Sequence, residues 1–177
     1  MKQICQTSRL TIRQFNLNDA EFIVRLLNEK SFIENIADKQ VRTISDAENY
    51  LTTGPMASYK NYGYGLYAVL LENNDKSSAE TPDEKLIGMC GLLKRPELDY
   101  PDLGYAFLPE FCGKGYAKEA AEAVLKNDVI AHSLNTILAV TSLTNQSSHN
   151  LLKKINFSFI GTMQLYGKEN NVYQYRI

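Results

Sequence analysis

The stretch Leu103 to Glu122, LGYAFLPEFCGKGYAKEAAE, constrains the fold more than any other part of the chain. Leu103, Tyr105 and Phe107 alternate with Gly104, Ala106 and Leu108. Both sets are mostly apolar or aromatic, the pattern of a strand buried on both faces. Pro109 ends that strand, because proline has no N–H for the ladder. A short loop follows, Cys112-Gly113-Lys114-Gly115, and then a run rich in Ala, Glu, Lys and Leu that reads as a helix from Tyr116 to Ala131. Two glycines one residue apart let the backbone come close to a ligand and turn several N–H groups toward one point. The helix adds unpaired N–H groups and the positive end of its dipole. Strand, glycine loop and helix in this order form an anion site, with phosphate the expected occupant. The bare GKG is equally compatible with a tight strand-to-helix turn that binds nothing.

The rest of the chain sets the context of that loop. With 177 residues, one domain spanning 1–177 is expected, and the 44% apolar content is enough for its own core. A formal net charge of −1 gives no electrostatic footprint for nucleic acid. No apolar run is long enough for a transmembrane helix, and Met1 to Arg9 lacks the apolar core of a signal peptide. Cys5, Cys90 and Cys112 are odd in number and form no CxxC, which points to a reducing, cytoplasmic setting rather than a disulfide framework. His132 and His149 are the only histidines, so a His-rich metal site or a Ser-His-Asp triad has little to work with, and no metal is expected.

In chain order, Arg9 to Phe15 reads as a first strand. A helix over Ala20 to Asn28 follows, capped by Asn18 or Asp19, with a short helical turn at Ser31 to Ile36. A further helix starts at Ser45 or Asp46; Gly54-Pro55 is expected to interrupt it before it resumes through Lys60. Gly63 to Leu71 and Lys85 to Leu93 are strands joined by a polar, Ser-rich stretch, Asn73 to Glu84, which reads as a mobile hairpin loop. After the central strand and its helix come a strand at Thr136 to Thr141, a helix from about Gln146 to Ile155 capped by Asn145, and two strands, Phe157 to Tyr166 and Asn171 to Ile177. Helices around a mixed sheet follow from that order.

The glycine loop does not match a P-loop, since Gly115 is followed by Tyr116, and it lacks the third glycine of a dinucleotide fingerprint. Two longer motifs do match a known pattern. GYAFLPEFCGKGYAKEA, followed one helix and one strand later by NQSSHNLLKKINF, resembles the GNAT acetyltransferase superfamily, and within it the branch of ribosomal-protein N-terminal acetyltransferases (RimJ/RimL-like). The likeness extends from SRLTIRQF through the strand carrying Ile87, Gly88 and Gly91 to the final strand pair.

The resemblance implies an α/β (α+β) GNAT fold, a mixed central sheet of about six to seven strands flanked by helices, with two central strands splayed apart. It implies acetyl-CoA as cosubstrate, its pyrophosphate held by backbone N–H groups of Cys112, Gly113, Lys114, Gly115, Tyr116 and Ala117; Lys114 and Lys118 would add charge near the phosphates, unless they are merely solvated. Cys112 stands where the family usually has Arg or Gln. The pantetheine arm would lie along Phe107 and Leu108 opposite Thr136 to Thr141, with a backbone N–H near Leu108 facing the oxyanion. Asn145 would bond the pantetheine, although a helix cap needs no ligand. Ser148 falls where relatives carry a serine near the thioester sulfur. The usual tyrosine acid is replaced by Leu152, which leaves Ser148, or water held by it, as the candidate donor, unless Ser148 is only a first-turn helix serine or the thiolate leaves unaided. Asp102 is the candidate base, unless it only pairs at the strand start. Tyr59, Tyr62, Tyr64 and Tyr67 fall in the zone that walls the acceptor pocket, Tyr62 and Tyr64 being the chosen candidates; packing explains such tyrosines equally well. Cys90 reads as core, Cys112 as no nucleophile, and His149 as an exposed residue without a partner.

The expected activity is therefore acetyl transfer from acetyl-CoA to a primary amine, a peptide N-terminus or a small molecule, by direct attack in a ternary complex. The protein would be a cytoplasmic monomer or homodimer with no nucleic-acid or membrane partner. Leu152 motivates the competing expectation, an acyl-CoA-binding regulatory module that has lost catalysis.

Overall fold

The computed structural model describes residues 2–72 and 84–176. The chain opens with an antiparallel pair, β1 (Gln3–Gln6) and β2 (Leu10–Arg13). β1 was not expected from the sequence: its four residues are only half-buried and carry little alternation. Asn16 caps a 3₁₀ turn at Leu17–Asp19, and α1 (Ala20–Leu27) continues from it, burying Ala20, Ile23, Leu26 and Leu27. The short α2 (Lys30–Asn35) follows. Thr43 and Asp46 form a reciprocal capping box that starts α3 (Ile44–Leu51).

Gly54 and Pro55 do not interrupt the chain as expected. A π-helical turn, Thr52–Met56, carries it without a break into α4 (Ala57–Tyr62). The wider turn removes the i−4 hydrogen bond that a proline cannot make, so Pro55 is accommodated instead of ending the helix. The strands β3 (Leu66–Leu71) and β4 (Lys85–Leu93) then pair antiparallel. The expected loop Asn73 to Glu84 lies outside the described residues except for Glu84.

β5 (Asp102–Phe107) ends at Pro109 and a 3₁₀ turn, and α5 (Tyr116–His132), β6 (Thr136–Ser142), α6 (Gln146–Lys154), β7 (Ser158–Leu165) and β8 (Lys168–Arg176) complete the chain. Among the described residues, the eight strands belong to one mixed sheet of order β1-β2-β3-β4-β5-β6-β8-β7. Among the described residues no helix is long and apolar enough to cross a membrane.

Cross-strand partners share a face of a sheet. Tyr67, Cys90 and Tyr105 are partners in consecutive strands, and the Tyr67 hydroxyl donates to Asp128 of α5 at 3.1 Å, so this face lies under α5. Ala68, Met89 and Ala106 mark the opposite face, where Met89 lines a cavity together with residues of α2, α3 and α4. A Cβ on Gly91 would strike the Gly65 carbonyl, so close approach of β3 and β4 requires glycine there.

One junction in the sheet is incomplete. β5 and β6 run parallel but are paired only at Asp102 and Leu138, where the Leu138 N–H donates to the Pro101 carbonyl at 2.8 Å. β5 stays laddered to β4 along its whole length, and β6 to β8 along its own. The two halves of the sheet therefore part after Asp102 and leave a gap beside Phe107.

Candidate active site

The glycine loop sits where the gap meets the N-terminus of α5. Gly113 (φ +74°) and Gly115 (φ +84°) are both left-handed, a conformation that side chains with a Cβ resist. Gly115 is the cap residue of α5 and no side chain of a described residue caps the first turn, so its N–H groups at Tyr116, Ala117 and Lys118 face outward. The first intrahelical bond is donated by the Glu119 N–H to the Gly115 carbonyl at 3.1 Å. Arg9 braces the loop from outside. Its Nη1 donates to the Lys114 carbonyl at 3.1 Å, its Nε to Glu119 at 2.7 Å, and its guanidinium lies 4.6 Å from the centre of the Tyr116 ring. Burial opposes the charge of Glu119, but hydrogen bonds from Thr7 and Arg9 outweigh it and hold the carboxyl below its ordinary range. The carbonyl of Lys114 is thereby turned toward Arg9, which leaves the N–H side of the loop open.

The side chains around this loop contribute less than its backbone. The Lys114 ammonium lies 5.6 Å from the Phe111 ring centre, and Lys118 pairs with Glu122 at 3.5 Å in solvent. The Cys112 sulfur rests 3.6 Å from the Leu108 carbonyl. Burial, and then Glu110, push its thiol up, which favours the protonated form.

Within the gap, the ladder decides which N–H groups face it. The Leu108 N–H donates to the Ile87 carbonyl at 3.0 Å, so an N–H near Leu108 that faces the gap must come from a neighbouring residue. Antiparallel alternation turns the next N–H, that of Phe107, to the side of β5 away from β4 and toward the gap. Across the gap Asn145 caps α6, its Oδ1 accepting from the Ser148 N–H at 3.1 Å. The Ser148 and Tyr105 hydroxyls are 2.6 Å apart, and either can donate. Burial keeps the Tyr105 phenol well above its ordinary pKa, so it holds its proton. Leu152 is fully buried core.

Asp102 does not face the gap as a free base. It is 1% exposed, and Arg95 Nε donates to both of its oxygens, at 2.8 and 3.0 Å. Burial raises its pKa against the opposing pull of Arg95. A carboxylate committed to this pair at the sheet junction is the structural alternative that the sequence left open. His149 is also not as expected: it is buried, with Nε2 3.0 Å from the Ser142 carbonyl and 3.2 Å from Asn171 Nδ2.

On the face opposite α5 a cavity of about 390 Å³ lies between the helical layer and β3–β5. Phe32, Tyr50, Pro55, Tyr62 and Tyr166 wall it, with Met89, Leu93 and Gly104 among the sheet residues beneath. Of the expected pocket tyrosines only Tyr62 lines it. Tyr64 is buried with its ring edge-on to His132, Tyr59 donates its hydroxyl to the Leu66 carbonyl, and Tyr67 binds Asp128. Sequence reasoning missed Arg9, Arg95, Tyr105 and Tyr166 as site residues. Tyr105 was legible as strand but not as a hydroxyl aimed at Ser148; Arg9 meets the loop, and Tyr166 meets Arg95, across more than seventy positions of sequence, and Arg95 meets Asp102 across seven positions, which no periodic pattern encodes.

The comparisons agree with this geometry. An uncharacterized N-acetyltransferase YnaD of Bacillus subtilis is 29% identical over 150 residues, 84% of this chain and 79% of that protein. The crystal structure of an acetyltransferase from Agrobacterium tumefaciens superposes with a TM-score of 0.80 at 20% identity, over 100% of this chain and 95% of that one. RimL, a ribosomal L7/L12 α-N-protein acetyltransferase solved with coenzyme A, superposes with a TM-score of 0.80 at 14% identity, over 99% and 98% of the two chains. These likenesses describe the fold. The model of the acetyltransferase (GNAT) domain matches residues 9–158, and the chain therefore belongs to the GNAT acetyltransferase family.

Proposed function

We propose that this acetyltransferase moves an acetyl group from acetyl-CoA to the primary amine of a small molecule, by direct attack in a ternary complex. The observation that carries the reading is the parting of β5 and β6 after their single pair at Asp102 and Leu138, between an uncapped helix N-terminus and a lined cavity. The backbone N–H groups from Gly113 to Lys118 would take the pyrophosphate, and the gap along Phe107 the pantetheine arm, with Asn145 as a further partner. RimL with its bound coenzyme A is a precedent for such an occupant in a chain of this fold.

In the reaction, the neutral amine forms a C–N bond to the thioester carbon as the C–S bond breaks. The N–H of Phe107, facing the gap, is the candidate support for the oxyanion. The nitrogen, cationic once it has attacked, loses a proton to water, and the leaving thiolate takes a proton from the Tyr105–Ser148 hydroxyl pair, which water then reprotonates. The pair replaces the donor missing at Leu152, which weakens the case for a module without catalysis. Asp102 has no part in proton transfer. A volume of about 390 Å³ falls in the range of small-molecule sites and favours a small amine over a folded protein terminus. The test is thiol release from acetyl-CoA over a panel of small amines and peptide N-termini. Turnover of a small amine supports the reading, and turnover of peptides alone, or tight acetyl-CoA binding without turnover of any amine, refutes it.

A further inference from the structure

The cavity on the β3–β5 face carries a one-sided charge. Its charged side chains are Lys39, Lys94 and Arg95, and no carboxylate of a described residue lines it. Lys94 is engaged elsewhere, its ammonium donating to the Leu98 and Asp99 carbonyls at 2.6 and 3.0 Å. Lys39 and Arg95 remain, and they flank one ring. The Lys39 Nζ lies 4.2 Å and the Arg95 Cζ 5.6 Å from the centre of Tyr166. Arg95 Nη1 donates to the Tyr166 hydroxyl at 2.7 Å and Nε to Asp102, while no described residue accepts from Nη2.

Tyr166 is placed there by the tip of the β7–β8 hairpin. Tyr166 (φ +53°) and Gly167 (φ +69°) are both left-handed. The two-residue turn demands positive φ at both positions, and an aromatic residue in the first is strained. The strained residue is the one that holds the two cations at the cavity wall.

We propose that the acceptor is an elongated amine with an apolar body and an anionic oxo group, carboxylate or phosphate, at the end remote from the amine, bound by Lys39 and Arg95 beside Tyr166. This rests on the acetyl-transfer reading of the same site. A guanidinium edge and an ammonium match such a group in charge and hydrogen-bond geometry. The aromatic wall takes the body. The same cations disfavour an ammonium in the cavity, so the amine reaches the thioester in its neutral, nucleophilic form. Polyamines and polycationic amino sugars are repelled for the same reason. Spacing sets the length. Arg95 is anchored at Asp102, and the gap is level with Tyr105 and beyond, three strand residues further on, or about 10 Å. An α-amino acid, with amine and carboxylate on one carbon, is too short.

The experiment compares 4-(2-aminoethyl)benzoate, its methyl ester, O-phosphotyramine and spermidine as acceptors for the wild type and Lys39→Gln. Binding of each amine to the coenzyme A complex is measured alongside by calorimetry. One charge-assisted contact predicts kcat/KM at least about tenfold higher for the acid or the phosphate than for the ester. Lys39→Gln narrows that ratio. The better of acid and phosphate identifies the anionic group. Preference for the ester or spermidine, equal use of acid and ester, or no binding of either anion overturns the proposal. Selective binding of the anions without turnover upholds the anion site at Lys39 and Arg95 but overturns its use for an acetyl acceptor, together with acetyl transfer to a small amine.

Discussion

Under the proposed function the loop from Cys112 to Lys118 would hold one substrate and the cavity the other, and the two regions are built in opposite ways. The loop is contiguous, and its chemistry resides in N–H groups freed by two left-handed glycines at a helix start. The cavity draws its wall from Phe32 to Tyr166, and its chemistry resides in side chains that meet only after folding. A backbone site tolerates changes of side chain and is destroyed by changes of φ. A side-chain site behaves the other way round. This contrast is consistent with Cys112 at the first loop position, where a backbone site does not depend on the side chain.

The largest effect should come from breaking the backbone half. Gly115→Val forces a β-branched residue to positive φ, at about 1–2 kcal/mol, and misaligns N–H groups each worth roughly 1.5–3 kcal/mol toward a charged ligand. Isothermal titration should show acetyl-CoA affinity falling on the order of a hundredfold while calorimetric binding of the amine is retained. Equal loss at both sites would mean that the loop is structural and not a donor site.

Tyr105→Phe and Ser148→Ala probe the seam between the halves. General acid catalysis is worth about 10²-fold or more, and the partner hydroxyl or water will recover part of it, so kcat should fall roughly ten- to a hundredfold with KM for acetyl-CoA little changed. The two losses should not add in the double variant, because the hydroxyls act as one pair at 2.6 Å. Unchanged kcat in both variants would show that the thiolate leaves without them.

A smaller effect concerns the helix that carries the loop. Asp128 is fully buried, accepting from Tyr67 at 3.1 Å and Asn127 at 2.9 Å, and burial raises its pKa above 3.8 against those two bonds. A carboxyl whose folded pKa is raised binds its proton more tightly when folded. Its contribution to stability is therefore present below pH 3.8 and lost as pH rises through the folded value. Urea unfolding of Asp128→Asn beside the wild type should show the variant gaining relative stability from pH 4 upward; parallel curves would mean that Asp128 does not titrate in this way. The smallest effect is expected from Cys112→Ala. Its thiol is held protonated and the loop acts through its backbone, so turnover should stay within about twofold, the range of near-neutral surface substitutions. Loss of turnover with a trapped acetyl-cysteine would replace direct attack with an acyl-enzyme route.

The sequence by itself determined the elements whose signals are local. Pro109 ends the central strand, the glycine pair opens α5, and Asn145 caps α6, because proline geometry, left-handed φ and first-turn N–H groups depend on a few neighbouring residues. Other local signals misled: Gly54-Pro55 spelled a break that a π turn absorbs, and the weakly patterned β1 left no trace. Only the tertiary structure decided the roles of side chains. It committed Asp102 to Arg95, sent Tyr59, Tyr64 and Tyr67 into packing, joined Tyr105 to Ser148, and brought Tyr166 over the cavity. Each of those outcomes depends on strand register and on which face a residue takes in the sheet. Those are set by the whole core at once, so the candidate donor loop could be read from one stretch of chain while the lining of the candidate acceptor cavity could not.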